Sequence, residues 1–192
     1  MHRNYWQTDK VLLRAFEHDD VERVVRNRNA KDSNLFWLYD AIKLPRTPEQ
    51  IRDEYEKMLK DWEKEDRCLL CIENSEADVV GDIIVWQTKL PERYFVYGVQ
   101  IEEKWQRKGY AKDALKILLD FYFNELGYNK VEASVYGYNA GSQSFHERFG
   151  FTLEGILRNR LHSRGRYHDT LIYGMLKEEF NAIHEHDRWR KK

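Results

Sequence analysis

The stretch Ile101-Glu102-Glu103-Lys104-Trp105-Gln106-Arg107-Lys108-Gly109-Tyr110-Ala111 decides how the rest of the chain is read. Upstream of it, Phe95, Tyr97, Val99 and Ile101 alternate with Val96, Gly98 and Gln100, the period of a strand. Downstream, Ala111, Ala114, Leu115, Leu118, Phe121 and Tyr122 recur at helical spacing, which predicts a helix from Tyr110 to Leu126. A strand therefore runs through a basic turn into a long helix that starts at Gly109. The first turn of a helix carries backbone N–H groups without intrahelical partners, together with the positive end of the helix dipole. Gly109 lets a ligand approach the backbone, and Arg107 and Lys108 add charge, so the junction is a candidate phosphate site. It is not a Walker loop, because the chain has no GxxxxGK[ST], and the three-glycine spacing of a dinucleotide loop is missing. Taken alone, Gln106 to Ala111 also suits any basic turn before a helix.

The flanking sequence gives the architecture. Val11 to Ala15 is a short strand, and Asp19 caps a helix whose Val21, Val24 and Val25 share one face. Residues 28–46 read as irregular, with an aromatic cluster of Phe36, Trp37 and Tyr39. Thr47, Pro48 and Gln50 form a capping box that opens a helix with Ile51, Tyr55, Met58, Leu59 and Trp62 on its apolar face. Cys68 to Glu73 and Val79 to Trp86 pair as a hairpin around Asn74 to Asp78. Val131, Ala133 and Val135 mark a strand, and a short helix from about Gly141 to Phe149 ends at Gly150 in a left-handed cap. Two last strands, Phe151 to Ile156 and Tyr167 to Leu176, flank the turn Ser163-Arg164-Gly165. The fold class is α/β (α+β): one domain, with a mixed, mostly antiparallel central sheet flanked by helices.

Composition narrows the function. The 192 residues carry 32 Lys and Arg against 33 Asp and Glu, and 42% are hydrophobic, which is enough for a sizeable core and excludes intrinsic disorder. A net charge of −1 speaks against a nucleic-acid binder, whose phosphate contacts need a basic face. No segment has the apolar run of a signal peptide or a membrane span, so the expected compartment is the cytoplasm, with no membrane partner. The two cysteines, Cys68 and Cys71, sit on a predicted strand, where residues three apart face opposite sides. They read as packed thiols, and no metal site is expected.

Two motifs together carry a family resemblance. Gln106, Gly109 and Ala111 match [Gln/Arg]-x-x-Gly-x-[Gly/Ala], the acyl-coenzyme A loop of the GNAT superfamily of N-acetyltransferases. Asn139-Ala140-Gly141-Ser142-Gln143-Ser144-Phe145-His146-Glu147-Arg148-Phe149-Gly150-Phe151 resembles that family's second motif, an Asn that opens a short helix closing in Gly-Phe. Glu154 to Arg158 and Gly165 to Asp169 are similar to the branch that acetylates ribosomal-protein N-termini and to its spermidine-acetylating relatives. The resemblance implies a GNAT-like domain over residues 10–178, with an N-terminal extension at 1–9 and a polar tail at 179–192.

It also implies roles. Acetyl-CoA is the co-substrate, with its pyrophosphate on the backbone of Gln106, Arg107, Lys108, Gly109, Tyr110 and Ala111. The pantetheine arm would pair with Val99, Gln100 and Ile101 and meet Asn139 and Ser142. Many family members place a Tyr seven positions after the motif Asn to protonate the departing thiolate; this chain has His146 there, the expected acid. Glu102, beside the expected thioester, is the expected general base, acting through a water on an amine that is protonated at neutral pH. Trp37, Tyr39, Tyr136, Tyr138 and Tyr167 are candidates to line the acceptor site.

The leading reading is direct acetyl transfer from acetyl-CoA to a primary amine, either a small molecule or a peptide N-terminus. A non-catalytic acyl-CoA sensor of the same fold is the alternative, since the motif Tyr is missing. RNA docking through the basic residues after His184 is the weakest reading. The sequence leaves a homodimer open.

Overall fold

The computed structural model describes residues 4–29, 35–36, 41–42, 46–62, 67–87 and 92–184. Strand β1 (Val11–Ala15) leads through helix α1 (Asp20–Asn29) and a small antiparallel ladder, β2 (Leu35–Phe36) with β3 (Ala41–Ile42), to helix α2 (Pro48–Trp62). Strands β4 (Arg67–Asn74), β5 (Val79–Gln87) and β6 (Tyr94–Ile101) follow, then helix α3 (Tyr110–Asp120). Strand β7 (Lys130–Tyr136), helix α4 (Ala140–Phe149), the hairpin β8 (Thr152–Ser163) with β9 (Arg166–Leu176), and helix α5 (Lys177–His184) complete the chain. Seven strands form one sheet in the order β1-β4-β5-β6-β7-β9-β8. Neighbours are antiparallel except β6 beside β7, so the sheet is mixed and mostly antiparallel, as expected.

Local signals place the elements. Thr47 Oγ1 accepts from the Gln50 N–H at 3.2 Å while Gln50 Oε1 accepts from the Thr47 N–H at 2.9 Å, the reciprocal bonds of the capping box. Gly150 takes φ +110° as the left-handed cap of α4. The helix that starts at Tyr110 continues past Asp120 as a π-helical turn, Phe121–Glu125, which buries Tyr122 and Phe123. Two expectations change. The span 28–46 is not wholly irregular, because α1 runs to Asn29 and the β2–β3 ladder lies within it. The expected strand from Phe151 is longer, reaching Ser163 through two register shifts.

Side-chain alternation builds two cores, one on each face of the sheet. Ile72, Ile83, Val85, Phe95 and Tyr97 pack with Leu115, Leu118 and Phe149 from α3 and α4. Leu69, Cys71 and Ile84 pack on the other face with Val21, Val24 and Val25 of α1 and with Ile51 and Tyr55 of α2. Cys68 and Cys71 therefore do face opposite sides. Burial pushes both thiols above their ordinary range, which suits packed, unreactive groups. The packed body is wider than residues 10–178. Trp6 lies against Phe121 with ring centroids 4.6 Å apart, and Phe180 of α5 is buried against Phe123.

Candidate active site

The site begins where β6 and β7 part. Their parallel ladder holds only three pairs, Tyr94↔Lys130, Phe95↔Val131 and Val96↔Glu132. Beyond them, β6 stays with β5 through Ile101, and β7 stays with β9 through Tyr136. A slot is left where the ladder ends, and among the described residues one side of β6 from Tyr97 to Ile101 has no ladder partner there. Such a strand edge offers N–H and C=O groups to a ligand that can pair like another strand. Val99, Gln100 and Ile101 lie on this stretch, and the Gln100 Oε1 is buried without a hydrogen-bond partner among the described residues.

At the end of β6 the chain makes a 3₁₀ turn over Glu103–Trp105 and enters the basic loop. The Gln106 side chain donates to the Ile101 carbonyl at 3.0 Å and folds the loop back onto the strand. Arg107 has φ +61° and Gly109 φ +86°, two left-handed residues that turn the backbone sharply into α3. For a non-glycine such as Arg107 that conformation costs on the order of 1 kcal/mol. Gly109 is the N-cap residue and has no side chain to satisfy the helix, whose first intrahelical bond runs from Asp113 N–H to the Gly109 carbonyl at 3.2 Å. The amides of Tyr110 and Ala111 in the first turn are thus available to an anion. The Lys104 and Lys108 ammonium groups stand 5.3 and 4.5 Å from the Trp105 ring centroid, held by cation–π attraction at the rim.

Across the slot, Asn139 caps α4, its Oδ1 accepting from the Ser142 N–H at 3.0 Å. One turn later His146 is 4% exposed. Its Nδ1 lies 2.7 Å from the Ser142 carbonyl, which can only accept, so Nδ1 carries the hydrogen. In the neutral ring Nε2 is then an acceptor, and the Tyr97 hydroxyl donates to it at 2.8 Å. The ring stacks on Tyr173, with Phe151 edge-on to it, and burial lowers its pKa below the ordinary imidazole value. His146 is a neutral, doubly bonded group at the root of the slot, and it has no free proton to offer.

Glu102, at the mouth, is bonded through Oε1 to the Arg23 guanidinium of α1 at 3.1 Å. Arg23 also donates to Asp82 of β5, a carboxylate whose pKa burial raises even with the guanidinium beside it. Arg14 joins Asp20 and Glu73 nearby at 2.7 and 2.8 Å. Under α1, four carboxylates thus share two guanidinium groups. Tyr136 and Tyr138 stack at the outer end of β7 with centroids 5.6 Å apart, and Tyr167 is 65% exposed. Trp37 and Tyr39 lie outside the described residues.

Val99, Gln100 and Ile101 thus lie on β6 beyond its last pair with β7, with the loop from Gln106 to Ala111 following them, while Asn139 caps α4 and Ser142 and His146 lie on it, joined to β6 through Tyr97. Sequence reasoning passed over Tyr97, which alternates like any core aromatic, and Arg23, which sits on a helix face far from Glu102 in sequence. Neither carries a local signal. Among the described residues, no three His, Cys, Asp or Glu side chains are grouped to hold a metal ion, and no helix is long and apolar enough to cross a membrane.

Comparison with known proteins adds to this geometry. The family described as "Acetyltransferase (GNAT) domain" matches residues 10–152. A Bacillus subtilis (strain 168) protein, "SPbeta prophage-derived uncharacterized N-acetyltransferase YokL", is 31% identical over 180 residues, covering 94% of this chain and 97% of its own. The spermidine N(1)-acetyltransferase of Vibrio cholerae is 22% identical over 171 residues, covering 89% of this chain and 95% of its own. The crystal structure of spermidine N-acetyltransferase from Vibrio cholerae in complex with CoA and spermine superposes with a TM-score of 0.75 at 21% identity, covering 90% of this chain and 99% of that one.

Proposed function

The chain belongs to the GNAT acetyltransferase family, and on that premise we propose how its slot and loop carry out the reaction. It is an N-acetyltransferase that moves an acetyl group from acetyl-CoA to an amine. The observation that carries the residue assignments is the parting of β6 from β7, which leads straight into the uncapped, positively charged start of α3. We assign the pyrophosphate to the amides from Gln106 to Ala111, with Arg107 and Lys108 as its counter-charges. The pantetheine arm runs along Val99, Gln100 and Ile101, with Asn139 and Ser142 across the slot. An amide on this edge faces the thioester oxygen and stabilises the charge that develops there as the amine attacks.

The proton steps follow from the neighbours of each group. Glu102 is the candidate base, taking the ammonium proton through a water while Arg23 orients one of its oxygens. His146 acts at one remove, because its two ring nitrogens are engaged by Ser142 and Tyr97. Its role in this reading is to hold the Tyr97 hydroxyl beside the slot, and the departing thiolate takes up the proton that the attacking nitrogen sheds as the amide forms. A cationic acceptor is in line with relatives named for spermidine. The sensor alternative is not favoured, as the named full-length relatives are N-acetyltransferases.

The test is thiol release from acetyl-CoA with a panel of polyamines, amino acids and peptides bearing free N-termini. Turnover with polyamines above the others supports the cationic acceptor. Turnover confined to peptides would refute that choice and leave the donor site standing. Acetyl-CoA that neither reacts with any acceptor nor raises the melting temperature would refute the whole reading.

A further inference from the structure

The segment expected as an N-terminal extension is strapped along α3. At the far end of that helix the Tyr5 hydroxyl donates to Asp120, and Trp6 packs on Phe121. The chain then returns towards β1. Gln7 bridges Leu12, and the Leu13 N–H donates to the Trp6 carbonyl at 2.8 Å. Thr8 Oγ1 accepts from the N–H groups of Lys10 and Val11 at 3.2 and 3.1 Å, closing a tight turn.

The turn delivers Lys10 to the start of α3, where its ammonium donates to the Lys108 carbonyl at 3.1 Å. A Cβ on Gly109 would lie 3.2 Å from the same nitrogen, so Lys10 occupies the side from which a side chain would project. Lys10 thereby joins Arg107 and Lys108, the two cations of the loop itself, and among the described residues none of the three forms an ion pair with a carboxylate. An anion bound at this turn would be attracted by all three charges.

We propose that Lys10 is a positioning residue for the donor's pyrophosphate. A peptide unit is planar and trans, so the Gly109 N–H points opposite to the Lys108 carbonyl that Lys10 holds. By fixing that carbonyl, Lys10 turns the Gly109 N–H towards the slot and adds a positive charge beside it. The proposal rests on the donor-loop reading above and extends the donor site to the residues before β1.

The experiment compares Lys10→Met and Lys10→Arg with the unaltered protein, using acetyl-CoA and, separately, S-acetyl-pantetheine, which lacks the phosphates. Lys10→Met should raise the KM for acetyl-CoA about tenfold, the scale of one charge-assisted hydrogen bond, with kcat unchanged. Kinetics with S-acetyl-pantetheine should not change, and Lys10→Arg should restore most of the loss. An equal effect on both donors would overturn the proposal, because the lost group would then not act through the phosphates. So would an unchanged KM for acetyl-CoA in Lys10→Met, provided the unaltered protein prefers acetyl-CoA to S-acetyl-pantetheine. If the unaltered protein shows the same KM for both donors, the donor-loop reading fails and takes this inference with it.

Discussion

The Tyr97 hydroxyl donates to His146 Nε2 at 2.8 Å, tying β6 to α4 one residue beyond the last ladder pair between β6 and β7. Each partner is at most 4% exposed, so neither can turn to water if the other is removed. Tyr97→Phe leaves the His146 acceptor nitrogen buried and unpaired, at a cost of about 1–3 kcal/mol. His146→Leu strands the phenol instead. Urea denaturation of both single variants and the double variant should give a double loss smaller than the sum of the singles. Additive losses would mean that the two side chains are not coupled.

The same pair sets a pH dependence of stability. Burial lowers the folded-state pKa of His146, while the unfolded chain takes up its proton near the ordinary imidazole value. Between those two values the unfolded state binds more protons, so stability rises with pH and levels off above the ordinary value. Acidification from neutral pH should therefore lower the melting temperature, with a limiting slope of about 1.4 kcal/mol per pH unit from this one group. His146→Gln should flatten the profile over that range. A profile that keeps its slope in His146→Gln would assign the effect to other groups.

Gly109 is tested by its backbone. At φ +86° an alanine is strained by roughly 1–2 kcal/mol, and its Cβ would press on the Lys10 ammonium. Gly109→Ala should cost stability on that scale and weaken acetyl-CoA affinity measured by calorimetry. Glycine to alanine in an ordinary first turn would instead stabilise the helix. A more stable protein with undiminished acetyl-CoA affinity would contradict the loop geometry.

What the sequence revealed depended on the range over which each signal acts. The capping box at Thr47 and Gln50, the left-handed cap at Gly150 and the opposed faces of Cys68 and Cys71 are written within a few residues, and the structure contains all three. The opening between β6 and β7 is not local, since it depends on which strands β6 and β7 pair with on their other sides. His146 is expected as the acid from its place seven positions after Asn139, and such a spacing fixes a face of the helix and not its depth or partners. Only the fold sets Tyr97, 49 residues earlier, against it. Arg23 reaches Glu102 across 79 residues for the same reason, and the strap before β1 became visible only once α3 gave it a surface to lie on.

Glu102 carries the last prediction, because its surroundings allow two outcomes that differ in kind. Its side chain is 17% exposed and bonded to Arg23 at 3.1 Å, and Arg23 in turn neutralises the deeply buried Asp82. Glu102→Gln keeps the size and one acceptor oxygen for Arg23 but removes the proton acceptor. If Glu102 is the base, kcat should fall roughly 10²-fold or more, the usual worth of general-base catalysis. The acidic limb of the pH–rate profile should also disappear, while the KM for acetyl-CoA holds. If Glu102 serves only to anchor Arg23, the variant should lose stability and keep its pH profile. Arg23→Met separates the two roles further. It strands Asp82 as a buried, uncompensated carboxylate, a change that costs about 3–5 kcal/mol, so its damage should appear in folding before it appears in turnover. A Glu102→Gln protein with both turnover and pH profile intact would move the base elsewhere and leave Glu102 as one link of an ion-pair chain that locks α1 onto the sheet.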